Sequence, residues 1–212
     1  MLNLLQCLRG ELFLHGFERN ATAEPKFKSL ADNLAENGIS SFRFDYTGTG
    51  LSDGDFRYTM VKSMTNDLEK AITSFKNEGI DDFALVAHSL SACVIANYIR
   101  NKQSLPYKII LLAPALNQRD LLRYWFVGSS MAKKDSTVKI TWDNYLEYLD
   151  ENEFIKDAKR KGKMAKAHYI NPEYTLESVS TDYSNLFTGF ENSILVIHGD
   201  KDDKVPLKSI KF

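Results

Sequence analysis

The chain has 212 residues, with 27 lysines and arginines against 28 aspartates and glutamates, for a formal net charge of −1. That length suits one domain with a real core, since a domain of this size buries roughly 70% of its unfolded surface. The near-neutral balance removes the electrostatic case for a nucleic acid or an acidic membrane as partner, and no apolar run reaches the ~18 residues of a membrane span.

Two cysteines, Cys7 and Cys93, make no disulfide framework, so a reducing, cytoplasmic compartment is the expectation. Met1 to Cys7 has the outline of a lipoprotein cleavage box but lacks a basic start and a long apolar region, and is expected to be a lead-in to the first strand.

In chain order the pattern alternates between strand and helix, as in a mainly parallel sheet with helices on both faces. Glu11 to His15 is the first strand. Pro25 to Asn37 carries Phe27, Leu30, Ala31 and Leu34 at helical spacing and stops at Gly38. Ser41 to Tyr46 is the second strand, followed by a loop with Gly48, Gly50 and Gly54. Tyr58 to Asn77 resumes as a helix with Met60, Met64, Leu68, Ala71, Ile72 and Phe75 on one face, closed by Gly79.

Phe83 to Ala87 is a short apolar run, the form of a strand buried on both faces. From Leu90 the period changes to helical, with Val94, Ala96 and Ile99. Tyr107 to Ala113 is the next strand, ended by Pro114.

The alternation then fails from Asn117 to Glu191. A structureless loop of that length does not suit a compact domain, so residues 117–191 are expected to form a small, mainly helical lid, with residues 1–116 and 192–212 as the core. Its aromatics, Tyr124, Trp125, Phe126, Trp142, Tyr145 and Tyr148, either line an acyl pocket or only pack the lid onto the body; the sequence leaves both open. Lys159 to Lys163 reads as a solvated helix face. Ser193 to His198 is the last strand.

The stretch Ala87-His88-Ser89-Leu90-Ser91 has the form of a nucleophile elbow, a serine on a sharp strand-to-helix turn with small neighbours two positions either side. Ala87 and Ser91 stand where the usual pattern has glycines. Three further blocks accompany it: Leu12 to Phe17 with His15-Gly16, Phe42 to Gly54, and Ile194 to Pro206. Together, in this order and spacing, they make the chain resemble the α/β-hydrolase superfamily from Leu12 to about Leu207, and the elbow is also similar to that of bacterial acyl-carrier-protein thioesterases.

The resemblance implies an incomplete α/β-hydrolase fold, without the family's first two strands, final strand and C-terminal helix. It implies Ser89 as nucleophile and Asp202, in Gly199 to Pro206, as the acid, with Asp200 and Asp203 as turn residues. It assigns the oxyanion hole to the backbone N–H groups of Phe17 and Leu90. The alternative reading of Ser89, a helix cap, has the other blocks against it.

A serine hydroxyl needs a base and a carboxylate to orient that base. The superfamily places its histidine after the acid, yet His15, His88, His168 and His198 all precede Asp202. The first two and the last read as structural, and His168 lies in the expected lid. The simplest reading is a chain shortened on its C-terminal side, with hydrolysis impaired.

The expected activity is a serine esterase or thioesterase acting on a small-molecule ester or thioester, with no cofactor and no metal, since the histidines and cysteines lack ligand spacing. The alternatives are a non-catalytic remnant or binding module, and a serine aminopeptidase. A dinucleotide-binding fold is disfavoured because no Gly-x-Gly-x-x-Gly run follows Leu14.

Overall fold

The structure is a computed structural model that describes residues 9–22, 24–100, 104–165 and 168–210. Met1 to Cys7 lies outside the described residues.

Five strands form the main sheet: β1 (Arg9–Leu14), β2 (Ser40–Arg43), β3 (Asp82–His88), β4 (Lys108–Leu112) and, after the long insertion, β7 (Ser193–Ile197). Their spatial order is β2-β1-β3-β4-β7 and every pairing is parallel. The connections are α1 (Pro25–Glu36), α2 (Val61–Asn77) and α3 (Ser91–Ile99).

The chain runs outward from β1 to β2, then returns to the other side of β1 to place β3. That reversal opens a crevice at the carboxyl ends of β1 and β3, where open α/β sheets bind ligands.

Side chains alternate across the sheet as the two-residue strand period requires. Leu12, Leu14, Leu85, Ala87, Ile109 and Leu111 face α2 and α3 and belong to the main core. Phe13 and Val86 face the opposite way, onto Phe27 of α1, with Leu34, Ile110 and Leu112 packed alongside.

On β7 the alternation continues but is half covered. Ile194 and Val196 pack on the main core, whereas Leu195 and Ile197 are 50% and 53% exposed. A fully buried Leu or Ile gains about 1.5–3 kcal/mol, so each of these leaves about 1 kcal/mol unrealised.

Two boundaries differ from the sequence expectation by three residues, and the other core elements by no more than two. The second strand ends at Arg43 rather than Tyr46, because Asp45 turns inward to accept from the amides of Ala21 and Leu51. The helix expected from Tyr58 begins at Val61. Asp55 caps a 3-10 turn over Phe56–Tyr58, and the Ser63 hydroxyl takes the amide of Met60.

Residues 117–191 carry α4 (Gln118–Lys134), a 3-10 turn at Tyr145–Tyr148, α5 (Glu151–Ala158), the antiparallel pair β5 (Lys163–Ala165) and β6 (His168–Ile170), α6 (Pro172–Val179) and a further 3-10 turn at Tyr183–Phe187. The segment combines helices with one short hairpin not expected from the sequence. Lys163, expected on a helix face, instead begins β5.

Among the described residues no helix is long and apolar enough to cross a membrane.

Candidate active site

Among the described residues, three other than glycine have positive φ: Glu18 at 53°, Ser89 at 55° and Ala113 at 45°. They follow the ends of β1, β3 and β4, so all three lie along one edge of the sheet. Each such conformation costs on the order of 1–3 kcal/mol, and strain of this kind clusters at functional sites.

Ser89 is locked by its own backbone. Its N–H donates to the carbonyl of Leu112 at 2.9 Å, and its carbonyl accepts from the amides of Ala92 and Ala115, each at 3.1 Å. The strand is therefore tied to β4 while α3 starts immediately, and the half-buried Ser89 side chain stands at the turn.

Gly16 lies against this turn. A Cβ there would sit 3.1 Å from His88 Nδ1 and 3.3 Å from the Ser89 Cβ, so the glycine is what allows the β1 loop to approach the elbow. Phe17, next along, stacks on Tyr174 of α6 with ring centroids 5.0 Å apart and packs on Phe56 at 5.3 Å. Phe17 and Leu90 are thus both within the same edge of the sheet, one after β1 and one after β3.

Asp202 lies in the loop after β7. Its Oδ1 accepts from the amides of Lys204 and Val205, both at 2.9 Å. Its Oδ2 faces His198 Nε2 at 3.8 Å, too long for a hydrogen bond. His198 instead donates from Nε2 to the carbonyl of Val205 at 2.7 Å, which closes the loop. Asp200 and Asp203 are exposed.

Two contacts that leave no local signal in the sequence clamp this loop from α4. Tyr124 donates to the carbonyl of Asp203 at 3.0 Å, and Trp125 Nε1 donates to that of Lys204 at 2.6 Å. Tyr124, Trp142 and Tyr145 pack edge to face or tilted on one another, and Phe126 meets Phe154. Those aromatics pack against one another within the inserted segment. A cavity of about 320 Å³ lies elsewhere, at the far end of α3 between Ile99, Leu105 and Phe190.

Each histidine has a different occupation. His15 is 1% exposed; its Nδ1 donates to the carbonyl of Gly16 at 2.9 Å, and its Nε2 faces the amide of Tyr46 at 3.4 Å. Burial holds its pKa below the usual value. His88 accepts at Nε2 from Lys26 Nζ at 3.4 Å, and burial, then the Lys26 charge, lower its pKa too. His168 packs on Phe56 with the rings tilted by 34° and their centroids 4.4 Å apart.

Among the described residues no hydrogen bond joins an imidazole to the Ser89 hydroxyl. No group of three His, Cys, Asp or Glu among them converges as a metal site would require.

The Phe42 to Gly54 block is scaffold. Asp45, through its two carboxylate oxygens, holds the amides of Ala21 and Leu51. Gly50 has φ of 53°, and a Cβ there would lie 2.0 Å from Asp45 Oδ2, which excludes any other residue.

The family description "Serine aminopeptidase, S33" matches residues 12–211. No curated protein matches the chain by sequence. Among solved structures, the chain is similar to Est1E from Butyrivibrio proteoclasticus with ferulic acid bound, at 18% identity and a TM-score of 0.72 over 95% of this chain and 72% of that one. It is also similar to a monoacylglycerol lipase of Paleococcus ferrophilus, at 18% identity and a TM-score of 0.61 over 94% and 76% of the two chains. An esterase from Exiguobacterium antarcticum matches at 18% and 0.59, over 94% and 76%. At these identities the likeness establishes the fold.

Proposed function

Because the chain belongs to the serine aminopeptidase S33 family of the α/β-hydrolase superfamily, we propose that it is built as a serine hydrolase for carboxylic esters or thioesters, with Ser89 as the nucleophile. The observation that carries this reading is the Ser89 backbone, held at φ of 55° between β3 and α3.

In the reaction Ser89 Oγ attacks the acyl carbon and the carbonyl oxygen becomes an oxyanion. The backbone N–H groups of Leu90 and Phe17 receive it; one such donor is worth about 100- to 1000-fold in turnover. Expulsion of the alcohol or thiol leaves an acyl-Ser89, which water then hydrolyses. Asp202 is the carboxylate that would orient a base, since Oδ1 is spent on two backbone amides and Oδ2 is left to face one.

No histidine follows Asp202 in the 212 residues. Turnover of this polypeptide is accordingly expected to be several orders of magnitude below that of a complete triad, with residual reactivity from the oxyanion hole. Residues 117–191 act as the lid, an inference that the stacking of Tyr174 on Phe17 supports.

The lipase and esterases among the structural neighbours favour an ester over a peptide substrate, while the family description keeps an aminopeptidase in view. A second reading, a binding module that keeps the scaffold without catalysis, is favoured by the absence of an imidazole on Ser89 among the described residues.

Labelling with a fluorophosphonate probe, read by intact mass beside a Ser89→Ala control, separates the two. Slow labelling that vanishes in the control supports the hydrolase. A folded protein that never labels supports the binding module. For a labelled protein, aryl esters, acyl thioesters and aminoacyl anilides then rank the substrate classes.

A further inference from the structure

We propose that Ser91, standing where the elbow pattern has its second glycine, is a positioning residue that works with Tyr46 to fix the oxyanion donor of Phe17 through the carbonyl of His15. The catalytic meaning of this rests on Ser89 being the nucleophile, as proposed above; the tie itself does not.

Proton counting sets the direction of the bonds. The Ser91 hydroxyl lies 2.5 Å from the carbonyl oxygen of His15, which can only accept, so Ser91 donates its one proton there. Tyr46 Oη lies 2.8 Å from the same Ser91 oxygen and must therefore be the donor to it. Burial holds the Tyr46 phenol far above its usual pKa, so that proton is always present. The relay runs Tyr46 O–H to Ser91 O–H to His15 C=O.

Ser91 and Tyr46 are both 0% exposed and His15 is 1% exposed, so no bulk water replaces a missing partner.

The consequence reaches Phe17 by peptide geometry. In a trans peptide C=O and N–H point opposite ways, so fixing the oxygen fixes the amide. Ser91 holds the oxygen of the His15–Gly16 peptide, and so the Gly16 N–H and the plane from which the next peptide starts. The His15 ring holds the oxygen of the next one, Gly16–Phe17, from Nδ1 at 2.9 Å, and the amide of Arg19 joins it at 3.2 Å. The N–H of that second peptide is the proposed donor.

Tyr46 supports both planes. Its phenol reaches Ser91, its amide faces His15 Nε2 at 3.4 Å, and its ring meets the imidazole edge at 4.8 Å. Since Ser91 is two residues beyond Ser89 on the same turn, the relay ties the nucleophile's helix directly to the oxyanion strand. A glycine at 91 makes neither bond.

The test uses the full chain with Ser91→Ala and Tyr46→Phe, read by hydrogen exchange and by fluorophosphonate kinetics. Ser91→Ala is expected to raise exchange at least about 10-fold in peptides spanning residues 16–20, with α3 unchanged. It should slow the labelling step by about 10- to 100-fold while the probe's half-saturating concentration stays constant, as a misplaced donor would.

Tyr46→Phe leaves the Ser91 proton on His15, so its effects should have the same pattern and be smaller. Unchanged exchange over residues 16–20 in Ser91→Ala, or loosening spread evenly over the fold, overturns the proposal. Should Ser91→Ala not fold, Tyr46→Phe decides by the same exchange criterion. If the unsubstituted chain never labels, the hydrolase reading fails while the exchange pattern still decides the tie.

Discussion

Tyr124 on α4 donates its phenolic proton to the backbone carbonyl of Asp203 at 3.0 Å, and thereby anchors the loop that carries Asp202 to the inserted segment. Trp125 repeats the contact one residue on, at the carbonyl of Lys204. The Asp202 loop is therefore held from outside by residues that come some 80 positions earlier in the chain.

Trp125→Phe keeps most of the aromatic bulk and deletes the indole N–H. The lost bond is worth about 0.5–1.5 kcal/mol, which for a domain of this size lowers Tm by about 2–4 °C per kcal/mol. Hydrogen exchange should quicken over residues 199–206, and unchanged protection there would remove the anchoring role.

Asp202→Asn preserves an acceptor for the amides of Lys204 and Val205, so its Tm should stay within about 2 °C of the parent. Asp202→Ala leaves both amides without that partner and should cost about 1–3 kcal/mol. With no imidazole to orient, Asp202→Asn should leave residual probe labelling within about threefold, because triad members act as a unit and the loss of one masks the loss of another. A hundredfold fall would show that a base, with His168 the first to test, already serves Ser89.

Two histidines make stability depend on pH. Burial depresses the native pKa of both His15 and His88, so below an unfolded-state value of about 6.5 the unfolded chain binds more protons than the native one. Their contribution is fully present above that pH and erodes as pH falls from there toward the depressed native values. The urea midpoint should therefore drop between pH 7.5 and pH 5. His15→Asn should flatten that slope, and an equally steep slope in the variant would count against His15 as a source.

The outer face of β7 exposes Leu195 and Ile197 beside a strand edge that no described residue pairs. Such an edge favours association. Leu195→Lys with Ile197→Thr should shift sedimentation of a concentrated sample toward the monomer while changing stability by no more than about 1 kcal/mol, since exposed substitutions usually have small effects. Unchanged sedimentation would show that this face takes no part in association.

Much of the architecture is legible in the sequence because it is local. Apolar alternation over Phe83 to Ala87 and its change of period at Leu90 set a strand and a helix, and the small residues Ala87 and Ser91 mark the turn between them. Boundaries moved where side chains took over backbone groups, as Asp55 and Ser63 did ahead of α2. The second strand's end moved for the same reason at Asp45, whose carboxylate serves the amides of Ala21 and Leu51.

The insertion was harder to read. Its aromatics at helical spacing suit a pocket wall and a packing face equally well, and that Tyr124, Trp142 and Tyr145 meet one another is a matter of tertiary structure. The β5–β6 pair was missed because strands of three residues each carry too few positions to show a period.

By itself, then, the sequence determined the succession of elements, the sharp strand-to-helix turn at Ser89 and the small residues that flank it, because each is a matter of periodicity, residue size or position. Tertiary structure alone decided what Ser91 does in place of glycine and what holds the Asp202 loop. Those answers depend on hydrogen bonds between groups 45 and 76 residues apart at Ser91 and 79 residues apart at Tyr124 and Trp125. Partners so distant leave no periodic trace and meet only when the sheet brings the strand ends level.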